Sequence, residues 1–187
     1  MDSKYEFVLV FSTLLYAGHG QDFGYDGNNG PNHWGEKYQH CVGKHQSPIN
    51  IEEHNVRQVQ LPSMVFQNFN QTPKAFALKN NGHTVITTME TDKKPVVTGG
   101  PLASDYEFVQ LHFHWGANDD EGSENTINNN SFPLELHMVF YDKDYGSFEE
   151  AIEHPDGLTV LSILFSIERA ARTWVVCLKP TYTGREE

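Results

Sequence analysis

Residues 110–116, with the sequence QLHFHWG, place two histidines on one face of a predicted β-strand. Side chains alternate between the two faces of a strand, so His112 and His114 point the same way and lie about 6.5–7 Å apart. Apolar residues would pack there at lower cost, so the pair of imidazoles needs an explanation. Two ring nitrogens at this spacing can converge on one metal ion, although two ordinary surface histidines would give the same pattern.

A second segment, PLELHMVFY at residues 133–141, carries a third histidine in a similar setting. Glu135 and His137 share a face of this predicted strand, and an antiparallel neighbour would bring His137 to the first two histidines. Three neutral nitrogen ligands leave the fourth tetrahedral position of zinc open for water, which is typical of a catalytic site. The sequence therefore predicts a three-histidine zinc centre.

Polar residues two positions before the candidate ligands suggest how the imidazoles are oriented. Gln110 precedes His112, and Glu135 precedes His137. Metal-binding histidines usually donate their outer ring N–H to a carboxylate or an amide, which sets the tautomer. We therefore expect Gln110 and Glu135 to accept these hydrogen bonds, rather than to be ordinary polar strand positions.

The rest of the chain is mostly typical of β-structure. Short segments rich in β-branched and aromatic residues, separated by Gly- and Asn-rich turns, predict strands. These segments are residues 47–51, 74–80, 83–89, 94–99, 106–115, 134–141 and 158–165. Residues 147–154 predict a short helix capped by Ser147, and the Gly-, Asn- and Pro-rich residues 21–47 predict a lead-in without helix or sheet. We expect one mostly β domain.

The first twenty residues have the pattern of a secretory signal. A short polar start precedes the apolar run FVLVFSTLLYA at residues 7–17, and small residues follow at Gly18 and Gly20. We therefore predict a signal peptide over residues 1–20, a domain over residues 21–187, and secretion to the extracellular space.

Composition excludes two classes of partner. The chain is 38% apolar and 20% charged, with a net charge of −12, and it lacks the basic clusters that contact phosphates, so we expect no nucleic-acid partner. No other apolar run is long enough to predict a membrane span.

Cys41 and Cys177 suit an oxidising compartment if they pair, and sequons at Asn70 and Asn129 predict glycosylation.

Eight stretches of the sequence together resemble the α-class carbonic anhydrases, and the secreted type in particular. They follow the family's order between about residue 23 and residue 165. They read FGYDGNNGPNHW, QSPINI, NNGHTV, TGGPL, QLHFHWG, GSENT, LELHMVFY and PDGLTVL. The resemblance implies a single domain around a large twisted mixed β-sheet with few short helices, and Zn²⁺ as the cofactor.

The same resemblance implies a role for each site residue. The zinc ligands would be His112, His114 and His137, with Gln110 and Glu135 as their hydrogen-bond partners. The catalytic groups besides zinc would be His83 as proton shuttle and Glu124 as a buried carboxylate. The apolar wall for the substrate would be Val139, Val160 and Trp174. The residues ordering water between zinc and shuttle would be Tyr25 and Asn81.

The implied activity is the reversible hydration of carbon dioxide to bicarbonate and a proton. Zinc lowers the pKa of its bound water to about 7, chemistry for which carbonic anhydrase is itself the standard example. The resulting hydroxide attacks carbon dioxide, water displaces bicarbonate, and a proton leaves through His83, whose side chain type titrates near neutral pH.

The chain departs from the family pattern after the predicted strand that ends near Phe165. The family places several dozen residues before the strand that TWVVCLKP (173–180) resembles, including a loop with a threonine that pairs with Glu124. Here only residues 166–172 intervene, and the family's C-terminal segment is also missing. We therefore expect Glu124 to have lost its partner and new sheet edges to uncover apolar faces. Asn125 also stands where the family usually has histidine.

Two functional interpretations follow, besides a purely structural one. The full ligand set favours a zinc-dependent carbonic anhydrase, or a shortened product of such a gene. The missing threonine loop favours a non-catalytic carbonic-anhydrase-like binding or matrix protein. A β-domain without metal would have to bring three histidines together by chance.

Overall fold

The computed structural model describes residues 23–167 and the strand at residues 175–181. The predicted signal peptide at residues 1–20 and the predicted wall residue Trp174 lie outside this part of the chain.

The described residues form ten strands and two short α-helices. The strands are β1 (Asn50–Ile51), β2 (Val65–Gln67), β3 (Ala75–Asn80), β4 (Val85–Glu90), β5 (Val96–Thr98), β6 (Tyr106–Trp115), β7 (Thr126–Ile127), β8 (Leu134–Asp142), β9 (Leu158–Phe165) and β10 (Val175–Thr181). The helices are α1 (Pro31–Lys37) and α2 (Phe148–Ala151). Single 3₁₀ turns lie at Gly27–Asn29, Gln39–Val42, Glu53–Asn55 and Lys143–Tyr145.

One large sheet organises the molecule. Eight strands join in the order β10-β9-β8-β6-β4-β3, with β5 paired to β6 and β2 to β5. The strand pairs described in this sheet are antiparallel, and a parallel pair occurs separately between β1 and β7. The prediction of a mostly β fold around a large sheet with few short helices is confirmed. Among the described helices, none has the length and apolar character needed to cross a bilayer.

The apolar core lies on one face of the central strands. Its buried members form one cluster: Val97, Tyr106, Phe108, Phe140 and Leu161. The rings of Phe108 and Phe140 meet edge to face, with centroids 5.7 Å apart. The hydroxyl of Tyr106 donates to the carbonyl of Asp156 at 2.7 Å, so this buried polar group is paired.

A β-bulge in β6 separates this core from the polar face of the same strand. Phe108 lies opposite Phe140, whereas Gln110 lies opposite Val139, so Val109 is the extra residue. Phe140 and Val139 are consecutive and therefore face opposite sides of the sheet. The bulge thus lets β6 send Phe108 into the core and Gln110, with the histidines that follow it, to the other side.

The two predictions for helices had different outcomes. Helix α2 is confirmed at the predicted place, where the Ser147 hydroxyl accepts from the backbone N–H of Glu150 at 3.1 Å. The prediction that residues 21–47 contain no helix is wrong, because α1 lies there. Pro31 starts α1, where its missing N–H costs nothing, and the indole of Trp34 donates to the carbonyls of Gly24 and Asn29.

Strand β3 stands at one end of the sheet and exposes large apolar side chains. Phe76 is 68% exposed and Leu78 is 66% exposed. Phe140 is fully buried, whereas Phe76 is mostly exposed. Replacing each of these phenylalanines therefore compares the contributions of a buried and an exposed ring to stability.

We predict that Phe140→Ala lowers the free energy of unfolding by about 3–5 kcal/mol, because it opens a cavity in the core. Phe76→Ala is the matched control and should change it by no more than about 0.5 kcal/mol, because its ring is mostly in water. Urea unfolding of the full chain followed by fluorescence measures both. Equal losses in the two variants would contradict this description of the core.

Candidate metal centre

The pairing of β6 with β8 brings the three predicted ligands together. His112 lies directly opposite His137, and His114 follows two residues along the same face of β6. The ring centroids are 5.0 Å apart between His112 and His114, 5.2 Å between His112 and His137, and 4.5 Å between His114 and His137. Histidines from two strands therefore form a single cluster.

The imidazole cluster fits a divalent metal. One nitrogen from each of His112, His114 and His137 lies within 4.8 Å of the other two. Tetrahedral zinc with bonds of 2.0–2.1 Å requires nitrogens roughly 3.4 Å apart, so small side-chain rotations close the site. His137 is buried, and the other two rings are partly buried.

For His112 and His137, a hydrogen-bond partner outside the cluster indicates which ring nitrogen faces the centre of the cluster. Nδ1 of His112 lies 3.0 Å from Oε1 of Gln110, and Nε2 of His137 lies 2.7 Å from Oε1 of Glu135. With these nitrogens protonated and donating outward, Nε2 of His112 and Nδ1 of His137 keep lone pairs for a metal. The structure places both predicted partners beside their histidines.

Glu135 is held by residues that the sequence interpretation did not identify as functional. Its carboxylate accepts from the Ser162 hydroxyl and from both the side-chain amide and the backbone N–H of Asn125, the last at 2.8 Å. Glu135, Ser162 and Asn125 are all buried. Burial alone would raise the pKa of Glu135, but the hydrogen bonds from His137, Ser162 and Asn125 outweigh it and lower the pKa to about 2. The sequence signals were a serine inside the apolar run LTVLSILF and an asparagine at position 125, where the family usually has histidine.

The sequence leaves Glu124 without its threonine partner, and in the structure its carboxylate lies beside two of the predicted ligands. Its Oε1 lies 3.3 Å from Nδ1 of His114, and its Oε2 lies 3.8 Å from Nδ1 of His137. The carboxylate therefore faces the histidine cluster itself. Its own side chain is 24% exposed, so it lies at the edge of the site rather than deep beneath it.

An open cleft of about 570 Å³ leads to this cluster. Its lining includes four of the predicted site residues, Tyr25, His83, His114 and Glu124. The ring of His83 stacks on Phe23, with centroids 4.1 Å apart and planes at 12°. Burial, and then the neighbouring Glu124 carboxylate, raise the pKa of Tyr25. The cleft thus joins the predicted shuttle histidine to one predicted ligand.

Three further predicted site residues, Val139, Val160 and Asn81, are not part of the lining of this cleft. Val139 and Val160 are cross-strand neighbours, both 8% exposed, on the sheet face that also carries His137. Asn81 does not line the cleft, because its side-chain oxygen accepts from the backbone N–H groups of His83 and Thr84 and so shapes the turn. It therefore supports the backbone of His83.

Comparison with known proteins identifies the family. A family model described as eukaryotic-type carbonic anhydrase matches residues 29–179. Carbonic anhydrase 7 of Homo sapiens is 41% identical over 144 residues, which are 75% of this chain and 54% of that protein. Carbonic anhydrase 3 of Sus scrofa is 36% identical over 151 residues, which are 80% of this chain and 57% of that protein. The chain spans a little over half the length of these relatives.

These relatives correct the predicted location. Carbonic anhydrases 3 and 7 are cytosolic proteins, so the comparison contradicts the prediction of secretion. It also leaves the predicted signal peptide and glycosylation without support. In the structure, Cys41 is exposed and its thiol is free.

Carbonic anhydrases are zinc-dependent, and the three histidines of this chain lie close enough to hold a metal. Carbonic anhydrases act on carbon dioxide and bicarbonate. Both relatives are named as carbonic anhydrases. The comparison therefore does not favour the alternative interpretation of a non-catalytic binding protein. From its match over residues 29–179 and its identity to these relatives, the chain belongs to the eukaryotic-type carbonic anhydrase family.

Proposed function

We propose that this chain binds Zn²⁺ through His112, His114 and His137 and catalyses the reversible hydration of carbon dioxide. The observation that carries the proposal is the convergence of three imidazoles whose outer nitrogens face oxygen acceptors. Such an arrangement presents neutral nitrogen lone pairs to one point, which is the donor set of catalytic zinc.

When bound, zinc would act as a Lewis acid that makes a water molecule nucleophilic near neutral pH, the chemistry for which carbonic anhydrases are the standard example. The residues of the chain hold the metal and shape the space in front of it. Val139 and Val160 offer a small apolar surface on the ligand-bearing face of the sheet, suited to a nonpolar gas such as carbon dioxide.

His83 is the residue we propose for removing the proton. It lines the same open cleft as His114, and an imidazole exchanges protons readily near pH 7. The stacking on Phe23 and the turn shaped by Asn81 hold its ring at the side of the cleft. A histidine in this position can take a proton from water in the cleft and release it to buffer.

We predict that the full chain, stripped with chelator and reloaded, retains one zinc per chain after desalting, and that His112→Ala retains almost none, because two imidazoles bind zinc far more weakly than three. Zinc is measured by inductively coupled plasma mass spectrometry. His54→Ala is the matched control, since His54 is 73% exposed and outside the cluster, and it should retain zinc fully. Full retention by His112→Ala would show that the ligand assignment is wrong.

We predict that the zinc-loaded chain hydrates carbon dioxide well above the buffer rate in stopped-flow measurements with a pH indicator. His83→Ala should lower the maximal rate on the order of 10²-fold, the usual contribution of a positioned acid–base group. Added imidazole should restore much of this rate, because it replaces the missing proton carrier. His154→Ala, outside the cleft, should behave as the wild type.

Zinc binding without any hydration by the wild-type chain would contradict the enzymatic proposal and support the binding-protein alternative. A rate for His83→Ala equal to that of the wild type at low buffer concentration would contradict the assignment of the shuttle.

A further inference from the structure

Glu124 stands between two of the proposed zinc ligands. Its carboxylate oxygens lie 3.3 Å from Nδ1 of His114 and 3.8 Å from Nδ1 of His137. The other ring nitrogen of His114, Nε2, is buried away from solvent. The carboxylate of Glu124 thus lies beside Nδ1 of His114 at an ion-pair distance, slightly longer than the 2.7–3.2 Å of a usual N–H···O hydrogen bond.

The loop around Glu124 is anchored on both sides. The backbone N–H of Ser123 donates to the carbonyl of Phe132 at 2.7 Å, and the Ser123 hydroxyl donates to the carbonyl of Asn125 at 2.6 Å. Asn125 is itself tied to Glu135. The backbone at Glu124 is therefore fixed relative to β8.

We propose that Glu124 is a positioning residue of the metal centre, accepting the Nδ1–H of His114 and thereby directing Nε2 of that ring to the zinc. The proposal rests on the zinc centre proposed above. It gives His114 a carboxylate partner in the same way that Glu135 serves His137 and Gln110 serves His112. All three proposed ligands then have an assigned tautomer.

A second possible role, direct binding of the metal by Glu124, fits the geometry less well. The group of atoms that converge within 4.8 Å comprises nitrogens of His112, His114 and His137, and the carboxylate is not among them. Glu124 therefore acts through His114. A carboxylate in this position makes the imidazole a stronger donor and fixes its ring orientation, so its removal should weaken zinc binding.

The first test needs no metal. In ¹⁵N-labelled, metal-free full chain at pH 8, where histidine is neutral, long-range ¹H–¹⁵N correlation spectra report the tautomer of each ring. We expect His114 to carry its proton on Nδ1 in the wild type and to shift toward the Nε2–H form in Glu124→Ala. A wild-type His114 protonated on Nε2 would overturn the proposal.

The second test is zinc affinity, measured by competition with a chelator of known affinity. Glu124→Ala should bind zinc about 10–100-fold more weakly, as is usual when such a partner is lost. Glu124→Gln keeps an oxygen acceptor without the charge and should lose less. The matched control is Glu121→Ala, which removes the same charge from the same loop, where its carboxylate accepts from Asn118; it should bind zinc as tightly as the wild type.

The outcomes separate this inference from the proposed function. If the wild type binds zinc and Glu124→Ala binds it equally tightly, with matching circular dichroism spectra, the role of Glu124 is wrong and the zinc centre stands. An equal loss in Glu121→Ala would also overturn it, because general electrostatics would then explain the effect. A wild type that binds no zinc overturns both proposals.

Discussion

The register between β6 and β8 is the constraint on which the site depends. Because His112 faces His137 across the two strands, a shift of one residue in either strand would turn one set of side chains to the opposite face of the sheet. The bulge at Val109 belongs to the same constraint, since it allows β6 to fill the apolar core with Phe108 and still direct Gln110 and the histidines to the cleft. The apolar core and the histidine cluster therefore lie on opposite faces of the same pair of strands, β6 and β8.

Much of this centre could be predicted from the sequence because its signals are local. The alternation of side chains in a strand puts His112 and His114 on one face, and the same period pairs Glu135 with His137. The existence of the strands follows from β-branched and aromatic content. The alternation does not reveal the register, so the position of His112 opposite His137 is known only from the structure.

Other features depend on contacts between distant parts of the chain and could not be predicted. Ser162 and Asn125 bind Glu135 from a different strand and from a loop. Helix α1 forms in a stretch whose Gly, Asn and Pro content suggested turns, because Pro31 occupies a helix start and Trp34 ties the preceding loop to it. The contact between Glu124 and His114 could not be predicted from the sequence either, because it depends on how the loop around Glu124 folds.

The central claim is that three imidazoles share one zinc ion in this chain. X-ray absorption at the zinc edge of the loaded full chain tests it most directly, because the fine structure reports the type and distance of each ligand. The account predicts three histidine nitrogens at about 2.0–2.1 Å and one further light atom. Sulfur at about 2.3 Å, or six oxygen ligands without imidazole scattering, would contradict it.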